Sequence, residues 1–147
     1  MLSHLIGIHP SFSALLLRLV LGIIFIPHGY RKLFDKNIGP KATANFFVGF
    51  GIPAPMFFAY FAGCAEFFGG ILLILGLFTR FAALALVIDM IIVLVEVKFK
   101  TGLISKVMEG GWVRGYELEL ALLVMAMVVL VFGSAKFSID FIVLHQW

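Results

Sequence analysis

From Met56 to Phe78 every side chain but one is uncharged, and the exception, Glu66, sits near the middle. At 1.5 Å per residue, a helix of this length crosses the roughly 30 Å hydrocarbon core of a bilayer. A carboxylate at its centre costs roughly 2.5–3.5 kcal/mol on insertion scales, so it needs a partner, a wet cavity or a chemical task. Other apolar stretches run from Phe12 to Tyr30, from Phe81 to Val97 and from Tyr116 to Phe132. The first carries Arg18 and the second of these carries Asp89, so the question posed by Glu66 recurs.

Composition fixes the solvent. Of 147 residues, 63% are hydrophobic and 13% charged, against roughly 45–50% and about 25% in soluble domains. Mean hydropathy is +1.14. A water-soluble domain of this size cannot hide so much apolar surface. In lipid the backbone must satisfy itself, and none of the stretches alternates like a barrel strand. The expected fold is all-α: one polytopic domain over residues 1–147, a bundle of four transmembrane helices near 12–30, 56–78, 81–97 and 116–132. The first stretch has no basic region ahead of it and is interrupted by Arg18, so it reads as a retained span rather than a cleaved signal. Pro27 is expected to kink or end its last turn.

The connections differ in length. Gly76 to Arg80 permits only a tight turn, which makes the second and third spans an antiparallel hairpin. Residues 31–55 form a long connection whose middle, Ala42 to Val48, suits a short interfacial helix. Residues 98–115 form a second, and the tail from Phe137 is expected to lie in the interface with Trp147 as anchor. Both long connections fall on one side and hold Arg31, Lys32, Lys36, Lys41, Lys98, Lys100, Lys106 and Arg114, whereas the other side has mainly Arg80 and Lys136. The positive-inside rule then puts the long loops in the cytoplasm and both termini outside. The net charge of +3 is thus a topology signal, not a nucleic-acid footprint. The single cysteine, Cys64, reads as a small core residue and excludes an internal disulfide or a Cys-x-x-Cys pair, so electron transfer would need a borrowed cofactor, a quinone or a partner chain.

Counting inward from the span ends puts Arg18 roughly 9 Å, Asp89 roughly 12 Å and Glu66 roughly 15 Å deep. One cation and two anions near one layer are expected to pair, Arg18 with Glu66 and Asp89 as the competing anion. Small residues around Glu66 (Ala59, Ala62, Gly63, Ala65, Gly69, Gly70) place it at a helix contact or a narrow cavity. A second polar layer lies nearer the long loops: His28 and Lys32 share a face of the first span, Glu96 nears the end of the third, and Glu117 and Glu119 open the fourth, only one of that pair facing inward. Each has a plainer reading. The ions can be architecture that sets helix register, His28 an interfacial residue, Lys32 a snorkelling cation, Glu119 a solvated one, and Arg80 a helix-end or phospholipid contact. His28 is the only histidine of the polar core and no Glu-x-x-His spacing occurs, so no metal is expected.

Leu17-Arg18-Leu19 with Gly22, His28-Gly29-x-x-Lys32-Leu33-Phe34, Gly51-Ile52-Pro53, Ala65-Glu66-x-x-Gly69-Gly70, Gly76-Leu77-Phe78-Thr79-Arg80, Gly115-Tyr116-Glu117 and Phe137-Ser138-Ile139-Asp140 follow one another along the chain. Their order and spacing resemble the DoxX family of small membrane proteins. The resemblance implies a four-helix bundle in a prokaryotic cytoplasmic membrane and a link to quinone-dependent sulfur-compound or thiol oxidation. By motif it singles out Arg18, His28, Lys32, Glu66, Arg80 and Glu117; Asp89 rests on depth alone. The leading expectation is a quinone-linked oxidoreductase or its membrane subunit. Glu66, His28 and Glu117 would do the proton chemistry, Arg18, Lys32, Arg80 and Asp89 would surround substrate or quinone, and Phe25, Tyr60 and Phe67 would flank the ring. An anionic sulfur substrate would be drawn to Lys32. The alternatives are a non-catalytic binding or transport bundle, or a structural anchor for a soluble redox partner. The small-residue faces also suit a homodimer.

Overall fold

A computed structural model describes the backbone of residues 10–98, 106–108, 111–113, 115–134 and 138–144, with side chains over 12–95, 115–134 and 138–143. The chain forms α1 (Pro10–Phe34), α2 (Gly39–Gly49), α3 (Pro55–Leu75), α4 (Thr79–Ile92) continuing into a π turn (Val93–Lys98), β1 (Lys106–Met108), β2 (Gly111–Val113), α5 (Glu117–Phe132) and α6 (Ile139–Leu144). Among the described residues the fold is therefore helical apart from one small antiparallel hairpin, Lys106 opposite Val113, inside the connection expected to be loop. Two helices, α1 over Phe12–Phe34 and α3, are long and apolar enough to cross a membrane. With 14 residues in α4 and 16 in α5, the other two are shorter.

α1 packs along α3, α4 lies against α3 and α5, and α5 returns to α1. The α1–α3 contact is set by glycines on both helices. A Cβ on Gly29 would stand 2.2 Å from the Phe67 backbone nitrogen, and one on Gly22 would stand 2.7 Å from the Gly70 carbonyl oxygen. From the other side, a Cβ on Gly70 would be 2.9 Å from the Ile26 side chain and one on Gly63 2.7 Å from Leu33. Backbone thus lies on backbone, the arrangement small residues permit in membrane helices. Behind this seam Leu21, Phe25, Leu73, Leu86, Leu122, Ala126 and Val129 fill the interior. The outer surface is apolar too: Ile23, Phe57, Phe81, Val131 and Phe132 are each more than 60% exposed. Such a surface is stable against lipid and not against water.

Several boundaries differ from expectation. α1 passes through Pro27 and ends at Phe34. The Pro27 ring lies on the exposed side, while Gly29, just beyond it, is clamped against α3; tertiary packing carries the helix past the missing hydrogen bond. Asp35 then turns the chain, its Oδ1 accepting the N–H groups of Asn37 (2.8 Å) and Ile38 (3.1 Å). Those bonds, Asn37 first, hold its carboxyl below the ordinary carboxylate range. The helix expected in the first long connection forms as α2, which packs on α3 and α1. Cys64 is exposed rather than in the core. The side chains of Glu96, Lys98, Lys100, Lys106, Arg114, Lys136 and Trp147 lie outside the described residues.

Gly29→Leu is expected to force α1 and α3 apart and abolish cooperative thermal unfolding of the detergent-solubilised protein. Gly49→Ala, where a Cβ meets nothing within 4 Å, is expected to leave the midpoint within a few degrees of the parent.

Candidate functional site

The antiparallel register of α1 on α3 brings Lys32 to Glu66. A helical side chain leans toward the N-terminus of its own helix, so Lys32 points back into the interior from the last turn of α1. The missing side chain of Gly63 clears its path; a Cβ there would sit 3.4 Å from Lys32 Cβ. The ammonium donates to Glu66 Oε1 at 2.8 Å, and the carboxylate is only 4% exposed. Asp89, from the middle of α4, is buried within electrostatic reach of both partners. Glu66 Oε2 and Asp89 Oδ2 are buried and receive no N–H among the described residues, and the two carboxyl groups lie within hydrogen-bonding range of each other. One ammonium thus faces two carboxyl groups. By charge count the cluster is neutral only when it also holds one proton.

Above the cluster lies a cavity of about 410 Å³. α1 contributes Ile24, Phe25, His28 and Lys32, α3 contributes Glu66, and α4 and its π turn contribute Met90 and Val93. α5 supplies Leu118, Glu119 and Leu122, and α2 closes the side with Ala42, Thr43, Phe46 and Phe47. The lining is apolar with a few polar groups at fixed positions, the usual character of a small-molecule site. His28 Nδ1 lies 2.7 Å from the Ile24 carbonyl oxygen. A carbonyl only accepts, so Nδ1 carries the hydrogen, and Nε2 of the neutral ring is an acceptor.

The expected Arg18–Glu66 pair does not form. Arg18 is 1% exposed and lies at the opposite end of α3, where Nε donates to the Leu73 carbonyl at 3.0 Å and Nη1 donates to the Ser134 carbonyl. Lys32 is fourteen residues further along α1, roughly 21 Å by helical rise. Charge matching misled because the partners of the guanidinium are backbone carbonyls at helix ends, which carry no sequence signature. Asp140 completes this knot. Its carboxylate accepts the N–H groups of Phe78 (2.8 Å) and Thr79 (2.9 Å) at the start of α4, and its charge faces Arg18. Gly76, at φ +66°, ends α3 where a Cβ would meet Ser138 at 2.6 Å and Arg18 Nη2 at 2.7 Å. Arg80 is on this side as well. It donates to the Val131 carbonyl at 3.4 Å, near the end of α5.

Of the residues expected at the site, Lys32, Glu66 and Asp89 converge, and His28 joins Lys32 and Glu66 on the cavity wall. Arg18 and Arg80 are elsewhere. Glu119 lines the cavity, whereas Glu117, the expected acid, is on the exposed side of α5; the helical argument that only one of them faces inward holds, but the choice between them is reversed. Phe25 reaches the cavity. Tyr60 is exposed, and Phe67 packs edge-on against Phe34 and tilted against Tyr30. Thr43, Phe46 and Phe47 were not foreseen, although the four-residue spacing of Thr43 and Phe47 marks the inward face of α2. Among the described residues no group of three or more His, Cys, Asp or Glu side chains could hold a metal ion.

The DoxX family model matches residues 13–98. An uncharacterized membrane protein of Mycobacterium tuberculosis, Rv3486, is 33% identical over 135 residues, covering 87% of this chain and 79% of that protein. A Bacillus subtilis protein named "Putative oxidoreductase CatD" is 36% identical over 90 residues, covering 61% of this chain and 63% of CatD. No solved structure matches.

Removing one member of a buried ion pair strands the other, at a cost of about 3–5 kcal/mol, whereas replacing both with apolar residues is often neutral. Lys32→Met, which leaves Glu66 and Asp89 buried without their ammonium, is expected to lower stability in chemical denaturation; Glu66→Leu, which leaves Asp89 to balance Lys32, is expected to lower it less, and the triple variant with Asp89→Leu is expected to recover most of the Lys32→Met loss. At the opposite knot, Asp140→Ala removes the cap of α4 and is expected to cost about 1–2 kcal/mol, with Asp140→Asn milder; thermal melts of the three proteins check the order.

Proposed function

The chain belongs to the DoxX family, and from that premise we propose that it is the membrane subunit of a quinone-linked redox system. The carrying observation is the largely apolar 410 Å³ cavity with the Lys32–Glu66–Asp89 cluster at its floor. A quinone headgroup needs apolar walls, a few hydrogen-bonding groups and a proton route. Phe25 and Phe47 supply walls, His28 and Lys32 stand where the ring oxygens would bind, and Glu66 with Asp89 can release or take up a proton. Glu119, nearer the loops, takes over the role first given to Glu117, passing protons between the cavity and the aqueous side. The name of CatD supports a redox role.

The fold behind this reading is a four-helix bundle in a prokaryotic cytoplasmic membrane. α4 and α5 are short, but Phe81, Ile88, Ile91, Val124 and Val131 face outward from them as Ile23 and Phe68 do from α1 and α3, which favours four spans. The basic long loops then lie in the cytoplasm, and the cavity opens toward that side. Reduction of a quinone takes two electrons and two protons. Oxidation of two thiols to a disulfide releases both, and an equivalent sulfur compound can do the same. The one cysteine of this chain is exposed away from the cavity, so the reductant comes from outside, as a thiol-class substrate or through a partner chain.

The test uses the purified full chain in proteoliposomes. A quinone is expected in its organic extract, and a thiol reductant is expected to drive quinone reduction that falls at least about tenfold in Glu66→Gln. Absence of both bound quinone and quinone turnover overturns the reading. Proton uptake without redox turnover, lost in Glu66→Gln, would establish a transport bundle instead.

A further inference from the structure

The turn between α3 and α4 borders a surface hollow of about 360 Å³, at the end of the bundle away from Lys32. Its walls are mostly apolar, with Leu77, Phe78 and Phe81 on one side and Val143 of α6 on the other. Phe78 and Phe81 are exposed and their rings meet edge to face. Arg80 stands between them on the lining. A guanidinium carries five N–H groups. The acceptor Arg80 meets among the described residues is the Val131 carbonyl, at 3.4 Å, the long limit of a hydrogen bond. Most of its donors are therefore uncommitted. Thr79, next to it on the lining, has a buried hydroxyl without a partner among the described residues, so the turn holds a second donor with no acceptor. The charges at this end do not cancel. Asp140 also borders the hollow, but its carboxylate accepts the N–H groups of Phe78 and Thr79 and faces Arg18. Arg18 and Arg80 against Asp140 leave one positive charge over, that of Arg80. Orientation in the membrane gives Arg80 no reason to be here, since the basic residues of the chain gather in the long loops of the opposite face.

We propose that this hollow binds an anionic phospholipid, with Arg80 on the phosphate and the apolar walls on the glycerol and the first acyl carbons. The proposal is independent of the quinone-linked reading. The turn follows directly on α3, a helix long and apolar enough to cross a membrane, so Arg80 sits at headgroup depth. The guanidinium fork matches two phosphate oxygens at once, and a charge-assisted pair of this kind is stronger than a neutral hydrogen bond. A soluble anion would gain the same contact with Arg80 and nothing from Leu77, Phe81 and Val143, so the walls favour a lipid. An anionic headgroup cancels the surplus charge of Arg80. A zwitterionic one brings a cation of its own, and the carboxylate at hand, Asp140, is already spent on the start of α4 and on Arg18. Of the two plainer readings of Arg80, helix-end contact and phospholipid contact, the second thus becomes its main task. A lipid seated here spans from the α3–α4 turn to α6 and stabilises the folded chain by mass action.

The test uses the purified, delipidated full chain in detergent, with phosphatidylglycerol, phosphatidylcholine and inorganic phosphate as probes. Native mass spectrometry reads the bound states, and thermal melts read the stabilisation. Phosphatidylglycerol is expected to bind roughly tenfold more tightly than phosphatidylcholine, the scale of one charge-assisted contact, and to raise the melting midpoint. Inorganic phosphate is expected not to displace it. Arg80→Gln is expected to lose the preference and Arg80→Lys to keep part of it. Arg31→Gln, which removes an exposed cation at the other end of the bundle, is expected to keep all of it. A phosphatidylglycerol with a photoreactive group beside its phosphate is expected to label the parent protein within residues 77–81 or 138–143, which locates the lipid even where Arg80→Gln fails to fold. Equal binding of the two lipids, an undiminished preference in folded Arg80→Gln, or labelling confined to the long basic loops overturns the proposal. Displacement of the lipid by inorganic phosphate overturns it as well and marks a soluble-anion site instead.

Discussion

The contact of α1 on α3 decides where everything else goes. Its closeness depends on Gly22, Gly29, Gly63 and Gly70, none of which has room for a Cβ. Because the helices run antiparallel with backbones touching, position along one fixes position along the other: Arg18 lies level with Leu73, and Lys32 reaches Glu66. Neither pairing can change without sliding one glycine seam over the other. In water such a seam would compete with ordinary hydrophobic burial. In lipid, where apolar side chains gain nothing by leaving the solvent, close packing of small residues is itself a leading source of helix association.

The same seam yields two polar knots of different character. Around Arg18 and Asp140 the described bonds run from charged side chains to backbone groups at helix ends. The guanidinium caps the carbonyls of Leu73 and Ser134, and the carboxylate caps the N–H groups of Phe78 and Thr79. The orphan groups of helix termini are thereby satisfied, and Phe78 is held at φ +46°, where a non-glycine residue would not stay unaided. Around Lys32 and Glu66 the bond is between side chains, Asp89 lies within hydrogen-bonding range of Glu66, and a cavity adjoins Lys32 and Glu66. The first knot ties helix ends together; the second stands beside a cavity.

The fold class was legible because burial in lipid imposes long apolar runs with few charges, and the tight turn at Gly76 to Arg80 fixed the hairpin of α3 and α4. The helix of the first long connection was legible in the run Ala42 to Val48. Asp89 was found by depth alone, since residues roughly equidistant from a shared hairpin turn must meet. Arg18 was misassigned because depth counted from an apolar boundary is uncertain by a turn or more at each end, and because carbonyl partners leave no mark in the sequence. Lys32 presented the reverse case: a basic residue near a helix end looks like a snorkelling cation, and only the gap at Gly63 and the backward lean of the side chain turn it inward. The choice of Glu119 over Glu117 needed the rotation of α5, which the sequence left open between two faces.

Conserving register would not require the Lys32 cluster. The glycine seam and the Arg18 knot already fix α1 on α3, and apolar residues at Lys32, Glu66 and Asp89 would pack there without desolvating three ionisable groups. Polar satisfaction does not set this end apart, since Thr79 Oγ1 at the Arg18 end is also buried without a partner among the described residues; what differs is the space that adjoins the cluster. α2 crosses α1 and α3 and presents Thr43 and Phe47 to the space above Glu66, so a helix outside the spans is spent on enclosing it. An apolar cavity floored by an ion cluster that is one proton short of neutral is what the proposed proton exchange with a lipid-soluble ligand requires: water kept away and a proton held close.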